Sequence, residues 1–288
     1  MRLCRYNDNH IGIVRGGAVH DVTAIVEELP VQRYPLTLGD PLIARLDTLR
    51  PKLEKLADQA KPVPVAAVRL LSPVANPSKI IGTPVNYHAH RLEADKDKEI
   101  AVYSPSTRAR PIEEQGLFLK AISALVGPSE GVVVRFPDRR TDHEAELGLV
   151  IGKRAANVSE ADALGYVAGY AIALDMVVRG SEDRSFRKSI DTYAVLGPWL
   201  VTADEVGDSS KLAFSLKVNG ETRQKSNTSL MVMNIPRQIA WASTFYTLLP
   251  GDIIMTGTCE GVARVVPGDT MTLEFERIGR MEVPVRGA

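Results

Sequence analysis

The sequence predicts a β-rich α+β fold. From Lys79 onward, short strand-like runs are separated by Gly and Pro, and only two helical patterns interrupt them, near Glu160–Leu164 and Ile235–Thr247. A third helical stretch, about Pro41 to Ala60, lies outside this region and carries Leu42, Leu46, Leu49, Leu53 and Leu56 at three- or four-residue spacing. So many strands with so few helices between them argue against a doubly wound parallel sheet and for a barrel- or sandwich-like core.

Taken in order, "GIVRGGAVHDVTAIV" alternates around Gly16-Gly17 and predicts a hairpin near the N-terminus, ahead of the Leu-rich helix. "KPVPVAAVRLLSPVANPSK" holds four prolines and reads as an extended connector, which places a soft boundary between a small N-terminal domain, 1–75, and a larger one, 76–288. Strands are expected at 79–82, 132–135, 145–151, 166–173, 199–202, 213–218, 253–256, 270–275 and 281–285. One charged stretch, about 88–115, is poor in large apolar residues and reads either as a solvated surface segment or as a lid over a site.

Composition excludes several classes of function. The 288 residues carry 35 basic and 35 acidic side chains, so neither nucleic acid nor an anionic membrane is the expected main partner. No apolar run approaches the roughly 20 residues of a membrane span, and "MRLCRYNDNH" lacks a signal-peptide core. Cys4 and Cys259 are the only cysteines, far apart and in no metal-like spacing. A reduced, cytoplasmic protein is the simplest expectation.

The chemistry concentrates in "TDHEAELGLVIGK". Strand alternation puts Glu144 and Glu146 on one face, side by side, and the following "LGLVIG" has no polar alternation, as in a strand buried on both faces. Two buried like charges must share a proton or hold a cation. "GYAIALDMVV" brings a lone Asp175 at the end of an apolar run, a plausible third oxygen ligand for Mg²⁺, Mn²⁺ or Ca²⁺, although a capping role is equally open at this point. Lys188 precedes a Gly-Pro-Trp turn and is a solvated lysine or an oxyanion donor; Thr256-Gly257-Thr258 ends an apolar strand in a tight turn or a pocket. His90 and Glu93 stand at i, i+3, as a surface pair or a dyad that activates water.

Seven segments in order resemble the fumarylacetoacetate hydrolase superfamily: "KIIGTPVNYHAH", "DHEAELGLVIGK", "GYAIALDMVVRG", "KSIDTYAVLGPWLV", "VNGETRQKSNTSLM", "LLPGDIIMTGTCEGV" and "VPGDTMTLEFERIGRMEVPV". The resemblance covers about residues 79–286. It implies a mixed β-sandwich roll with a smaller N-terminal domain, usually a homodimer. It implies Mg²⁺, Mn²⁺ or sometimes Ca²⁺ on Glu144, Glu146 and Asp175, and a catalytic lysine at Lys188. Substrate contacts fall on Arg179, on Thr192 in "KSIDT" and on Thr256, Gly257 and Thr258. The His-x-x-Glu dyad of the acylpyruvate hydrolase branch falls on His90 and Glu93. Departures from the family pattern are Gly180 for Asp, Glu182 for Gln, Ile190 for Phe, Leu230 for Asp and Cys259 for Pro, all around the expected substrate pocket rather than at a metal ligand.

The activity implied is hydrolysis of a carbon–carbon bond in a 2,4-dioxo acid. His90 takes a proton from water, Glu93 orients it, Lys188 stabilises the oxyanion, and an enolate of pyruvate leaves on the metal. The same enolate chemistry serves a 2-oxo acid decarboxylase or a hydratase or isomerase of aromatic catabolism. A non-catalytic metal-binding β protein, including one with a structural calcium site, is the alternative of another class.

Overall fold

The main sheet begins with the first residues of the chain and runs through the apolar strands of the motifs. In the computed structural model, which describes residues 1–96 and 110–288, the N-terminal strands are β1 (Arg2–Tyr6), β2 (His10–Arg15) and β3 (Ala18–Asp21). Gly16 and Gly17 join β2 to β3 with φ of 55° and 79°, the positive values a tight hairpin needs at both central positions. The Leu-rich stretch forms α1 (Pro41–Ala44) and α2 (Leu46–Gln59). Asp40 caps α1 by accepting from Leu42 and Ile43 N–H at 3.0 and 3.1 Å, and its other oxygen accepts from Ala75 and Asn76. One carboxylate thus fixes both the helix start and the end of the connector.

The connector contains β4 (Val63–Pro64) and β5 (Leu70–Leu71), followed by β6 (Ile80–Gly82) and the helix α3 (His88–Lys96). After residue 110 come β7 (Phe118–Lys120), β8 (Leu125–Val126), β9 (Val132–Val134), β10 (Thr141–Asp142) and β11 (Ala145–Ile151). Next are β12 (Val167–Asp175), β13 (Val177–Val178), α4 (Arg184–Lys188) and β14 (Ala194–Thr202). The chain ends with β15 (Ala213–Val218), β16 (Glu221–Asn227), α5 (Ile235–Phe245), β17 (Ile253–Met255), β18 (Thr270–Phe275) and β19 (Gly279–Gly287). The stretch expected as a helix near Glu160 is a single 3-10 turn at Ala163–Tyr166.

Three sheets result. The largest runs β4-β3-β2-β1-β14-β12-β11-β17-β6-β7, with β5 on β1 and β8 on β14; the second runs β16-β15-β18-β19-β9; β10 and β13 pair by themselves. The ends of the large sheet stay open, so there is no closed barrel and the sandwich alternative describes the molecule. The sheet also crosses the soft boundary near residue 75, because β1 pairs antiparallel with β14. Gly197-Pro198, read from sequence as a turn, lies inside β14. The β12–β14 register slips between Tyr170↔Val201 and Ile172↔Gly197, as expected where proline has no N–H for the ladder.

Alternation along β11 and β12 explains the layers. Leu147, Leu149 and Ile151 of β11 and Tyr170, Ile172 and Leu174 of β12 point to a core shared with the five-stranded sheet and α5. Val150, Ala171 and Ala173 point the other way, to Leu42, Leu46, Leu49 and Leu53 of the N-terminal helices. Every residue of β11 is buried, as the unbroken apolar run predicts. Cys4 and Cys259 are buried free thiols in different apolar clusters. No helix of the described residues is long and apolar enough to cross a membrane.

Candidate active site

The β11–β12 register builds the acidic cluster. Ala145 pairs with Leu174, so Glu144 and Asp175 stand opposite each other, and the Asp175 N–H donates to the Glu144 carbonyl at 3.0 Å. Glu146 lies two residues along on the same face, beside the small residue Ala173. One carboxylate oxygen from each of Glu144, Glu146 and Asp175 lies within 4.8 Å of the others, and all three residues are buried. Among the described residues no other group of three ligating side chains comes together in this way.

Cations hold these acids in different states. Lys188, at the end of α4, donates to Glu144 Oε2 at 2.6 Å and to Asp175 Oδ2 at 2.5 Å. Arg179 reaches Glu144 Oε1 at 3.4 Å while its Nε pairs with Asp142 at 2.7 Å. Burial pushes the Glu144 carboxyl up, but the Lys188 and Arg179 charges outweigh it and hold the group at about 2. Glu146 has no such partner. Burial first, then the negative charge of Asp175, raise it well above the usual carboxylate range. Burial lowers Lys188 as well, but Asp175 and Glu144 more than restore it, so its ammonium stays charged. An all-oxygen donor set with one carboxyl short of positive charge fits a hard divalent cation.

The Thr256-Gly257-Thr258 turn is bound to β11. Thr256 Oγ1 donates to the Leu147 carbonyl at 2.9 Å, Thr258 Oγ1 to that of Ala145 at 2.8 Å, and the Gly257 N–H to Glu146 Oε2 at 2.7 Å. Gly257 has φ of 96°, and a β-carbon there would lie 2.5 Å from that of Asn86. Of the three, Thr258 lines the cleft above the acids. Thr192 does not line it; with φ of 71° its hydroxyl turns to accept from the Val133 N–H on β9 at 2.9 Å.

Across the cleft stands the start of the charged segment. His90 on α3 is buried and lines the same cleft as Glu144, Glu146, Asp175, Arg179 and Lys188. Its Nδ1 lies 3.5 Å from Glu93 Oε2. Glu93 accepts from the Gly261 N–H at 2.9 and 3.0 Å through its two oxygens. Burial raises the Glu93 carboxyl, but the bonds from His90 and Gly261 outweigh it and hold it below the usual range. The expected lid, about 88–115, is seen here only in part, since its middle lies outside the described residues.

Four polar residues of the site were not picked out from sequence. Lys120, fully enclosed at the end of β7, pairs with Asp175 and donates to the Tyr193 carbonyl at 2.9 Å. Gln224 on β16 is wholly buried: its carbonyl oxygen accepts from the Ala145 N–H at 3.0 Å, and its amide donates to Thr258 Oγ1 at 2.8 Å and the Cys259 carbonyl at 3.0 Å. Asn86 clamps the Thr256 and Met233 carbonyls at 2.8 and 2.9 Å. Arg139 grips Glu182 through its two terminal guanidinium nitrogens at 2.8 and 2.9 Å and also donates to the Arg179 carbonyl at 2.9 Å. A side chain at Gly180 would collide with that guanidinium, so Gly180 and Glu182, both departures from the family pattern, fit together around Arg139.

Comparison with known proteins agrees with this geometry. Residues 79–286 match the model of the fumarylacetoacetate hydrolase C-terminal family. The chain is 51% identical over 286 residues to a maleylpyruvate hydrolase of Aquipseudomonas alcaligenes, covering 99% of each protein. It is 34% identical to a mitochondrial oxaloacetate tautomerase of Xenopus laevis, over 94% of this chain and 83% of that one. In structure it superposes on the maleylpyruvate hydrolase of Sphingobium sp. SYK-6 in complex with manganese(II) and pyruvate, with a TM-score of 0.84, 40% identity and full coverage of both chains. An acidic cluster built on two apolar strands, in a chain with these relatives, has one reading: the protein belongs to the fumarylacetoacetate hydrolase family.

Proposed function

We propose that the protein is a divalent-metal-dependent hydrolase that cleaves a carbon–carbon bond in an acylpyruvate, with maleylpyruvate or a close 2,4-dioxo acid as substrate. The observation that carries this is the facing of two sets of residues across one cleft: Glu144, Glu146, Asp175 and Lys188 on the floor, His90 backed by Glu93 on the roof. A relative half identical over the whole length and named a maleylpyruvate hydrolase supports the substrate class.

In this reading Glu144, Glu146 and Asp175 hold the cation, Mg²⁺ or Mn²⁺. When bound, such an ion supplies Lewis-acid polarisation of a 2-oxo carboxylate. The side chains do the rest. His90 removes a proton from water, and Glu93, held by the Gly261 N–H, keeps the imidazole oriented and offsets its charge. The hydroxide adds to the carbonyl of the acyl arm, and the ammonium of Lys188 stabilises the oxyanion. The bond between that carbon and the methylene then breaks. Its electrons pass to the pyruvate half, which takes up one proton, and the acyl half leaves as a carboxylate. Arg179 and Thr258 border the substrate, while Thr256 and Gly257 hold β11 and Glu146 in place. Thr192 is assigned to the support of this region through Val133. The same reading places the enzyme in the cytoplasm as a homodimer, which light scattering on the eluted protein checks for oligomeric state.

The test is a substrate panel on chelator-treated protein with and without added Mn²⁺ or Mg²⁺. Maleylpyruvate should yield pyruvate and maleate in equal amounts only when metal is restored. Carbon dioxide from oxaloacetate, with no cleavage of any acylpyruvate, would overturn the hydrolase reading in favour of a decarboxylase.

A further inference from the structure

The short helix α4 turns three cationic side chains into the cleft. Arg184, Arg187 and Lys188 stand at i, i+3 and i+4, so they share one face, and all three line the cleft, whereas Phe186 points outward and is exposed. Lys188 is engaged by Glu144 and Asp175. Arg184 lies over the Phe118 ring and donates to Gln115 Oε1 at 3.2 Å. Arg187 differs. It is buried, yet its hydrogen-bond acceptors are two backbone carbonyls, Glu182 at 2.9 Å and Val178 at 3.4 Å, and among the described residues no carboxylate forms an ion pair with it. Burial and the nearby cations Arg179 and Arg184 disfavour its charge, and the carboxylates of Glu144 and Glu182, which form no ion pair with it, offset this only in part.

A buried guanidinium without a counter-ion is strongly disfavoured unless a ligand supplies the charge. The carbonyls of Glu182 and Val178 hold Arg187 in orientation without neutralising it. A planar fork fixed in this way matches the two oxygens of a carboxylate. The three floor acids are assigned to the cation at the pyruvate end and Lys188 to the oxyanion on the acyl carbonyl, so the anion that suits Arg187 lies further along the acyl arm.

We infer that Arg187, with Arg184 beside it, binds a second carboxylate at the far end of the acyl arm, so that the site selects acylpyruvates whose acyl group is itself an acid. This inference rests on the acylpyruvate reading above and deepens it. It makes Arg187 a specificity residue, and it requires the reaction before this one to deliver a dianionic 2,4-dioxo acid and the reaction after it to consume a dicarboxylate.

The experiment compares kcat/KM for maleylpyruvate and acetylpyruvate, which lacks the second carboxylate, in the Mn²⁺-loaded wild type and in Arg187→Met and Arg187→Lys. The ratio of the two should fall on the order of 100-fold in R187M, because a site built for a charged group rejects its absence strongly, with partial recovery in R187K. A ratio unchanged within about threefold, with both substrates losing activity alike, would overturn the proposal. Should R187M fail to fold, as judged by its melting curve, R187K alone decides: a lowered ratio supports the proposal and an unchanged one overturns it. If the wild type cleaves neither compound, the hydrolase reading falls. Maleate binding to the Mn²⁺-loaded protein then decides the carboxylate site separately. Weaker maleate binding in the Arg187 variant than in wild type supports the site, and equal binding overturns it.

Discussion

The floor and the roof of the cleft are built in contrasting ways. Each floor acid sits at a buried strand end and is held by neighbouring groups: Glu144 by Lys188 and Arg179, Asp175 by Lys188 and Lys120, Glu146 by the Gly257 N–H. The roof is one turn of α3, where His90 and Glu93 meet at 3.5 Å and the backbone at Gly261 and Val262 holds Glu93. The floor is preorganised by the sheet and exists before any ligand arrives. The roof lies on α3, off the sheet, and meets the floor across the cleft. In the proposed function the floor holds metal and substrate and the roof transfers the proton.

Substitutions can break that division. Glu146→Gln or Asp175→Asn removes a ligand, so Mn²⁺ affinity by calorimetry should fall by more than the ~10–100-fold typical of an outer partner, with activity lost alongside it. His90→Asn should lower kcat by about 10²–10⁴ while Mn²⁺ affinity stays near wild type. If H90N weakens Mn²⁺ binding as much as E146Q does, floor and roof are not separate.

A third variant sharpens the comparison at the floor's support. Gln224→Ala strands the buried Ala145 N–H and leaves the Thr258 hydroxyl oxygen and the Cys259 carbonyl without their amide donor. It should cost about 2 kcal/mol or more in urea unfolding, since each stranded buried group costs ~1–3 kcal/mol. A cost near zero would mean the five-stranded sheet does not brace the site.

The smallest effect is in protons. Glu144, depressed to about 2, contributes stability that is complete above the ordinary carboxyl range and lost as pH falls through its folded value. Glu146, raised in the folded chain, has the opposite sign: its contribution is complete below the ordinary carboxyl range and lost as pH rises through its folded value. Between those two limits for Glu146, binding of a cation must expel its proton. Mn²⁺ titrations in buffers of differing ionisation enthalpy should therefore show proton release and an affinity that climbs with pH. Binding without proton release in that window would contradict the state assigned to Glu146.

How much of this was legible beforehand follows from where each partner sits in the chain. The β11 run announced burial on both faces, and two acids two residues apart on such a strand demanded a cation, a proton or water. Asp175 was visible for the same reason, as one acid at the end of an apolar run. Gln224 was not, because "ETRQKSN" reads as a polar edge and only the approach of β16 to β11 makes its side chain central. Lys120 and Asn86 act on residues 55 and more positions away, with no local pattern to mark them. Pairing of β1 with β14 likewise spans most of the chain, so a change in composition near residue 75 said nothing of a sheet that continues across it. Gly197-Pro198 misled for the converse reason: a dipeptide that punctuates most chains is absorbed here as a bulge within a long strand.

The most direct test of the account is hydrolysis of maleylpyruvate by the Mn²⁺-loaded protein in ¹⁸O-water, with both products analysed by mass spectrometry. One labelled oxygen should appear in the carboxylate newly formed on the maleate half, while the carboxylate of pyruvate stays unlabelled. Carbon dioxide, a tautomer of the starting acid, or maleate free of label would contradict water attack on the acyl carbonyl.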